Sequence, residues 1–324
     1  TFLLERSRVV SVSPGERGFH VFYGLLTSRI AADVGLSANG RFTDTASGPS
    51  SFGYLRAGVE SVAGRDDASD FAALLSAFDR IGLSADGKHK VCELLSAVLL
   101  LGNLQFEHND DNVSSFVPGA SDSQLGQLAI WLGADVRNSL ITKQLKAGGG
   151  LLGGAPIIQT LDAAAAARSR DAVARALYSK LFLHVVELVN GAISAPTSVF
   201  SASGMPTIGL LDIFGFERFE LNSLEQLLIN FANEKLHSHF LECVFDAEST
   251  VYEEEGVPWP DVNVPGNDEV LSLLEDPPIG LMPLLEDQSA LQTPSDSAFC
   301  TALLQAHARS PLLSKPKNRK RRGG

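Results

Sequence analysis

The sequence predicts a predominantly helical α/β fold, and three stretches carry that reading. From Asn222 to Glu255 no Gly or Pro interrupts the chain, and two overlapping capping boxes, Asn222-x-x-Glu225 and Ser223-x-x-Gln226, open the run. A second long helix is predicted from Asp162 to Ile193, with strong propensity in Ala163–Ala167 and an apolar stripe at Val173, Leu177, Leu181, Val185 and Leu188. Between them, Ile208-Gly209-Leu210-Leu211 is a short apolar run that ends in Asp212, the pattern of a buried strand turning on Gly215 toward a helix. Nucleotide-binding folds place phosphate sensors at such strand ends.

With 324 residues and 44% hydrophobic content, the chain can bury one large core or two modest ones, which sets disorder aside. Its formal charge of −12 hides an asymmetry. Lys315, Lys317, Arg319, Lys320, Arg321 and Arg322 crowd the end of the chain, and without them 20 basic residues face 38 acidic ones, a balance of −18. An acidic body repels phosphate, so no specific nucleic acid is expected as a partner. Cys92, Cys243 and Cys300 are odd in number and far apart, each within an apolar helical pattern, so buried thiols in a reducing, cytoplasmic setting are expected. No window reaches membrane-spanning length, and no membrane partner is expected. The opening Thr1-Phe2-Leu3-Leu4-Glu5-Arg6 lacks Met and any leader-like pattern, as expected of a piece cut from a longer chain.

Taken in order, Phe2–Val12 alternates like a strand and breaks at Pro14-Gly15, after which Phe19, Val21, Phe22, Leu25 and Leu26 return at helical spacing. Residues 35–68 are rich in Gly, Ser and Asp around Gly48-Pro49-Ser50-Ser51 and read as a loop or poorly ordered insert. Helical patterns follow at Phe71–Ile81 and Lys90–Leu101, and the polar strip His108–Ser123 reads as a second loop. Gly148-Gly149-Gly150 and Gly153-Gly154 bracket Leu151-Leu152, a hairpin-like excursion. The helix that opens at Asn222 would be a rod of roughly 45–50 Å. Its buried side would run through Leu224, Leu227, Leu228, Phe231, Leu236, Phe240 and Val244.

Gly82-Leu83-Ser84-Ala85-Asp86-Gly87-Lys88-His89 is one residue short of a phosphate loop, with His89 where a Mg²⁺-coordinating hydroxyl would stand. It follows a helix rather than a strand, so a polar turn between two helices is the better reading. Asp212-Ile213-Phe214-Gly215-Phe216-Glu217 is followed by Asn222-Ser223-Leu224-Glu225-Gln226-Leu227 and by Asn230-Phe231-Ala232-Asn233-Glu234-Lys235-Leu236. This ordered series resembles switch II and the relay helix of the myosin motor family. Leu3–Val10 and Gly15–Tyr23 resemble the segment that follows switch I, while Leu101-Gly102-Asn103-Leu104-Gln105-Phe106 and Arg170–Tyr178 resemble two further landmarks in the right order. Ile279-Gly280-Leu281-Met282, Leu284-Leu285-Glu286-Asp287 and Lys315-Pro316-Lys317 resemble the lower actin-binding helix-loop-helix and its exit. The resemblance covers nearly residues 1–315 and is weakest at 35–68 and 108–125; Pro311–Lys317 is similar to class XV unconventional myosins.

The resemblance implies a partial P-loop NTPase-type head: an upper-cleft region at 1–206, the switch II strand and relay helix at 207–256, part of the lower cleft at 257–314, and a basic tail at 315–324. It implies an actin filament as partner, with ATP and Mg²⁺ as cofactors of the intact family. Asp212 would hold the Mg²⁺ water shell, Gly215 would offer its N–H to the γ-phosphate, and Glu217 would pair with a switch I arginine. Phe214, Phe216 and Asn233 would pass that closure into the relay helix, which begins with Asn222 and Glu225 and continues through Glu234. Gly280, Leu285, Ala290 and Leu291 fall in the actin-binding helix-loop-helix, and Ala155 falls in a surface loop on the actin side.

The departures matter as much. The phosphate loop and switch I would lie upstream of Thr1, which leaves Glu217 half of a pair, so ATP is not expected to bind this fragment alone. Light-chain sites are likewise not expected in it. Ala155 stands where actin-binding relatives carry an acid or a phosphorylatable hydroxyl, and Ala290-Leu291-Gln292 replaces a more apolar tip, so actin binding is expected to be weak. The basic tail reads as a nuclear-localisation or anionic-surface patch, or as read-through sequence beyond the point where the family pattern ceases. Two functions stay open. One is a portion of an ATP-driven, actin-based motor of the cytoskeleton; the other is a non-catalytic truncated protein with weak or no actin binding.

Overall fold

Local signals in the sequence set most of the element boundaries. The computed structural model describes residues 4–12, 15–36, 48–108, 114–116, 120–133, 136–145, 157–193, 208–219, 222–258, 266–291 and 295–314. They divide into two units, 1–208 and 209–324, and each is described by itself.

The first unit opens with a 3-10 turn at Arg6–Val9, followed by α1 (His20–Thr27), α2 (Ile30–Asp33) and α3 (Asp67–Arg80). Over its described part, residues 4–12, the alternation read from Phe2 to Val12 therefore does not make a strand. Arg8 pairs with Glu5 at 3.0 Å and Glu16 at 3.1 Å, and a local bond from Val10 N–H to Ser7 O takes the place of a ladder. Asp66 caps α3 by accepting from the Ala68 and Ser69 N–H groups at 3.0 and 3.2 Å, with acids in the first turn and Arg80 in the last. Gly82, at φ +80°, closes that helix, and Ser84 caps α4 (Ala85–Leu101) through Gly87 N–H at 3.0 Å. The near-match to a phosphate loop is thus a turn and a cap between two helices.

α4 is the centre of this unit, because every residue from Leu95 to Leu101 is buried. After it come β1 (Phe106–His108), β2 (Ser114–Phe116), α5 (Ala120–Leu132), α6 (Val136–Ile141), β3 (Thr142–Leu145), β4 (Ile157–Thr160) and α7 (Ala163–Ile193). α4 packs on α5 and α7, α6 packs on α7, and α1 packs on α3. The polar strip read as a loop instead holds an antiparallel pair, Phe106 opposite Phe116 with their rings 5.0 Å apart, and the start of α5. A cross-strand aromatic pair accounts for the pairing of so short a ladder. The Gly-rich excursion is flanked by a second antiparallel ladder, Thr142–Leu145 on Ile157–Thr160, and Gly148–Gly154 itself lies outside the described residues. Asp162 then caps α7 through Ala165 N–H at 2.6 Å, as the sequence reads.

Part of the expected insert at 35–68 is core. Phe52, Tyr54 and Leu55 are buried, and they are delivered by a turn that fits against the end of α4. A Cβ at Gly53 would lie 2.2 Å from Gly102 O, and one at Gly102 would lie 2.7 Å from the Tyr54 ring, so both positions admit only glycine. Asn103 Oδ1 accepts from Gly53 N–H at 2.7 Å. From the far side Arg170 donates to Leu104 O at 2.7 Å, and Tyr54 donates its hydroxyl to Asp171 Oδ1 at 2.7 Å. Burial raises the Tyr54 and Tyr178 phenols well above their ordinary range, which keeps Tyr54 a neutral donor. Tyr178 stacks on Phe19 at 4.8 Å and meets Phe22 at 5.3 Å, joining α7 to α1.

Arg17 is a second buried anchor. Both its terminal nitrogens reach Asp67, Nη1 at 2.9 Å, while Nη2 also donates to Glu60 O at 2.8 Å and the guanidinium lies 3.7 Å over the Tyr23 ring. Burying a guanidinium is tolerated only because it is paired and bonded in this way.

The second unit contains the extended segment 209–219, α8 (Leu224–Leu241), a π-helical turn (Glu242–Asp246), α9 (Ala247–Glu254), α10 (Asp268–Glu275), α11 (Leu281–Ser289) and α12 (Asp296–Ala306). The chain stays helical from 224 to 254, but it widens at the π turn, which nothing in the sequence marks. Two expectations fail here. The run Ile208–Leu211 is extended but has no strand partner among the described residues, and Ile208 and Leu210 are 95% and 96% exposed. An apolar run becomes a buried strand only where neighbours supply partners for its N–H and C=O groups. On α8, Leu224, Leu228 and Phe240 are exposed, as is Val244 in the π turn, whereas Gln226 and Ile229 are buried, because the neighbours described in this unit lie on the 226–229–230 side. The thiols divide as well: burial pushes Cys92 up to about 11, while Cys243 and Cys300, on helices with little cover, are exposed.

Two outcomes are expected. Gly102→Ala drives a methyl into the Tyr54 ring and lowers unfolding free energy by about 2 kcal/mol, whereas Tyr54→Phe loses one hydrogen bond and costs about 1 kcal/mol; denaturant melts rank the two. Acid should lower the stability of the first unit in two stages. Partial desolvation, then the charges of Arg65 and Arg17, lower the His20 pKa, and the Arg17 hydrogen bond lowers that of Asp67. The unfolded chain therefore binds protons more readily at both groups, and stability falls first below about pH 6.5 and again below about pH 4. His20→Gln removes the upper stage alone in a pH series of thermal melts.

Candidate functional site

The stretch Asp212–Glu217 has no regular secondary structure, and its order comes from one point. Asn230 lies on the buried stripe of α8 with Gln226, Ile229 and Asn233, spaced at helical intervals. Its side chain closes on the backbone of Glu217 from both sides: Oδ1 accepts from Glu217 N–H at 2.8 Å, and Nδ2 donates to Glu217 O at 2.8 Å. A side-chain amide that pairs with one residue's N–H and C=O reproduces a strand's hydrogen-bond edge in miniature. The segment is thereby fixed to the helix at Glu217.

Beyond that residue, Phe219 N–H donates to Asn222 Oδ1 at 2.8 Å, and Asn222 Nδ2 returns a bond to Phe219 O at 3.0 Å. Asn222 therefore closes the turn before α8 and is not its cap. Ser223 takes that role. Its hydroxyl accepts from Glu225 N–H at 3.3 Å, and its own N–H donates to Gln226 Oε1 at 2.9 Å. Glu225 Oε2 lies 2.5 Å from the same hydroxyl, so of the two capping boxes in the sequence only the second forms.

The structure places the remaining candidates as follows. Asp212, Phe214 and Phe216 are exposed, and a Cβ at Gly215 would touch nothing within 4 Å. Glu217 is half-buried, and its Oε2 is shut off from solvent with no hydrogen-bond partner among the described residues. Asn233 donates back along its own helix to Ile229 O at 2.9 Å, and Glu234 accepts from Asn267. Gly280 is buried at the entry to α11, Leu285 is half-buried along it, and Ala290 and Leu291 are exposed where it ends. Ala155, Gln292 and the tail 315–324 lie outside the described residues. Sequence reasoning missed the role of Asn230. The available signal was an amide on the apolar stripe of a helix, which burial obliges to find partners.

These residues do not by themselves form a nucleotide site. Asp212 and Gly215 face open space on one extended segment, and among the described residues no three His, Cys, Asp or Glu side chains gather to hold a metal ion. A triphosphate needs a cradle of converging donors as well as one carboxylate and one amide. The orphaned Glu217 oxygen does suit a cation: a guanidinium would satisfy it by charge and by hydrogen bonding.

Similarity to known proteins bears on what this arrangement belongs to. The family model described as "Myosin head (motor domain)" matches residues 1–323. The chain is 34% identical to unconventional myosin heavy chain 6 of Caenorhabditis elegans, over 98% of this chain and 14% of that protein. It is 35% identical to Myosin-2 of Arabidopsis thaliana, over 94% of this chain and 24% of the relative, and 36% identical to the myosin IB heavy chain of Dictyostelium discoideum, over 88% and 25%. It therefore spans about a quarter or less of the length of these relatives.

The clamp gives a direct test. Asn230→Ala should cost about 1–2 kcal/mol of the second unit's stability by leaving two backbone groups of Glu217 unpaired. Asn230→Asp should cost more, because a carboxylate would face the Glu217 carbonyl; chemical denaturation followed at the second unit's amides separates the two.

Proposed function

The chain belongs to the myosin head (motor domain) family, whose fold is of the P-loop NTPase type, and from that premise we propose that it supplies the phosphate-sensing and force-relaying middle of an ATP-driven, actin-based motor. The observation that carries this reading is the Asn230 clamp. A segment that senses phosphate is useful to a motor only if its backbone is tied to a lever, and Asn230 ties both polar groups of Glu217 to α8. A shift of Glu217 must then move α8 or break two hydrogen bonds.

In this reading Glu217 Oε2 is the acceptor for an arginine on a separate part of the head. Asp212 supplies a carboxylate for a hydrated Mg²⁺, and Gly215 an unobstructed N–H. The chain by itself is not an ATPase, since its sequence contains no Gly-rich loop ending in Lys followed by Ser or Thr to cradle the β-phosphate. The partner class is the actin filament, met by the helical hairpin α11–α12 with Leu291 exposed at its tip. With Ala290 and Leu291 as the apolar centre, that contact is weak.

Calorimetric titration with Mg-ATP should give no heat of binding. A micromolar dissociation constant, about −8 kcal/mol, would exceed what one carboxylate and one amide supply and would overturn the non-catalytic part of the reading. Cosedimentation with actin filaments should be weak and should fall on raising salt and on deleting Lys315–Gly324, since a basic sequence attracts an acidic filament through charge that salt screens. Binding that survives both treatments yet falls with Leu291→Ala would assign a specific actin module instead.

A further inference from the structure

α8 makes a second set of contacts that the motor reading leaves without a role. Glu234 and Lys235 are consecutive, so their side chains leave the helix about 100° apart and diverge. They reach opposite ends of α10. At its start Asn267 Nδ2 donates to Glu234 O at 2.9 Å and to Glu234 Oε2 at 2.5 Å. At its last residue Glu275 Oε1 accepts from Lys235 Nζ at 2.5 Å. Leu271 is buried between them.

A helix held at one point can pivot about it. Held at both ends over about 12 Å, with an apolar residue between, it can neither swing nor slide without breaking one attachment. From α10 the chain runs into a tight corner: Gly280 N–H donates to Asp276 O at 2.7 Å, and a Cβ at Gly280 would fall 2.7 Å from that same oxygen. His307 Nε2 lies 2.6 Å from Ile279 O and ties the end of α12 back to this corner. α10, α11 and α12 are thus joined in series behind the two attachments.

The geometry points to Asn267 and the Lys235–Glu275 pair as positioning residues, a two-point latch that makes α10 and the α11–α12 hairpin follow α8. This rests on reading α8 as the relay and goes beyond it, naming how the hairpin receives the relay's movement. The two attachments differ in kind. Lys235 and Glu275 are 48% and 35% exposed, so that end weakens with salt, whereas the Asn267 bonds are part-buried and neutral on the donor side.

The test is a coupling measurement in the full chain. Asn230→Ala disturbs α8 through Glu217, and hydrogen exchange at the Leu271–Glu275 amides reports whether α10 follows. With the latch intact, Asn230→Ala should speed exchange there about five-fold; in the Asn267→Ala/Lys235→Met background, already fast, it should add less than about two-fold. The reversed pair Lys235→Glu/Glu275→Lys should restore the intact response, and the Val91–Leu101 amides serve as the folding control. An equal response in both backgrounds, or none at α10, overturns the latch. Failure to bind actin would strike the motor reading and leave this result standing.

Discussion

Two glycines and a tyrosine ring decide how the first unit is assembled. Gly53 and Gly102 bring two backbone segments and the Tyr54 ring closer than any side chain would permit, and the contact is then locked by Asn103 from one side and by Arg170 and Asp171 from the other. α4 can be buried along its whole C-terminal half only because this junction covers its end. α7 is oriented by the same contact, since Arg170 and Asp171 share its N-terminal half and Tyr178 follows two turns later against Phe19 and Phe22. Two short stretches that read in the sequence as landmarks, Leu101–Phe106 and Arg170–Tyr178, are the two halves of one physical contact.

The second unit depends on fewer constraints. α8 is held by side-chain amides at points where an apolar face would ordinarily serve: Asn230 at Glu217, and Asn267 at Glu234. Such bonds are directional and individually modest, about 1 kcal/mol each. They fix register while leaving the exposed leucines and phenylalanines of α8 uncovered in this unit. A helix held this way is suited to transmit displacement, because its attachments define which residue moves with which.

Much of the architecture was legible where local chemistry decides it. The C-terminal ends of α3 and α4, the Asp162 and Ser223 caps and the turn at Gly82 follow from capping side chains and glycine, which act within a few residues, whereas the helices read from Phe71 and Lys90 begin earlier, at Asp67 and Ala85, where Asp66 and Ser84 cap them. The short elements were not. The turn at Arg6–Val9 alternates in sequence like a strand, and the Phe106–Phe116 ladder lies in a polar strip; only distant neighbours settle such cases. The buried face of α8 was misread for the same reason, since seven apolar residues nominate a face but neighbours choose it. Of the candidate site, Asp212–Glu217 could be located from sequence, yet Asn230 and Asn267 drew no role, because an amide's partner is set by the fold and not by spacing. The thiols Cys243 and Cys300 likewise sit in apolar patterns that this unit leaves open to solvent.

The central claim is that the segment from Gly209 to Phe219 has no sheet to join among the described residues of its unit and is anchored by the Asn230 clamp and the Asn222 turn. Native-state hydrogen exchange resolved at single amides tests it. Gly209–Phe216 should exchange at nearly unprotected rates, Glu217 should stand out as protected, and Val91–Leu101 should be the slowest in the chain. Protection spread evenly over 209–216 at the level of α4 would mean that the segment is a paired strand after all, and would contradict the account.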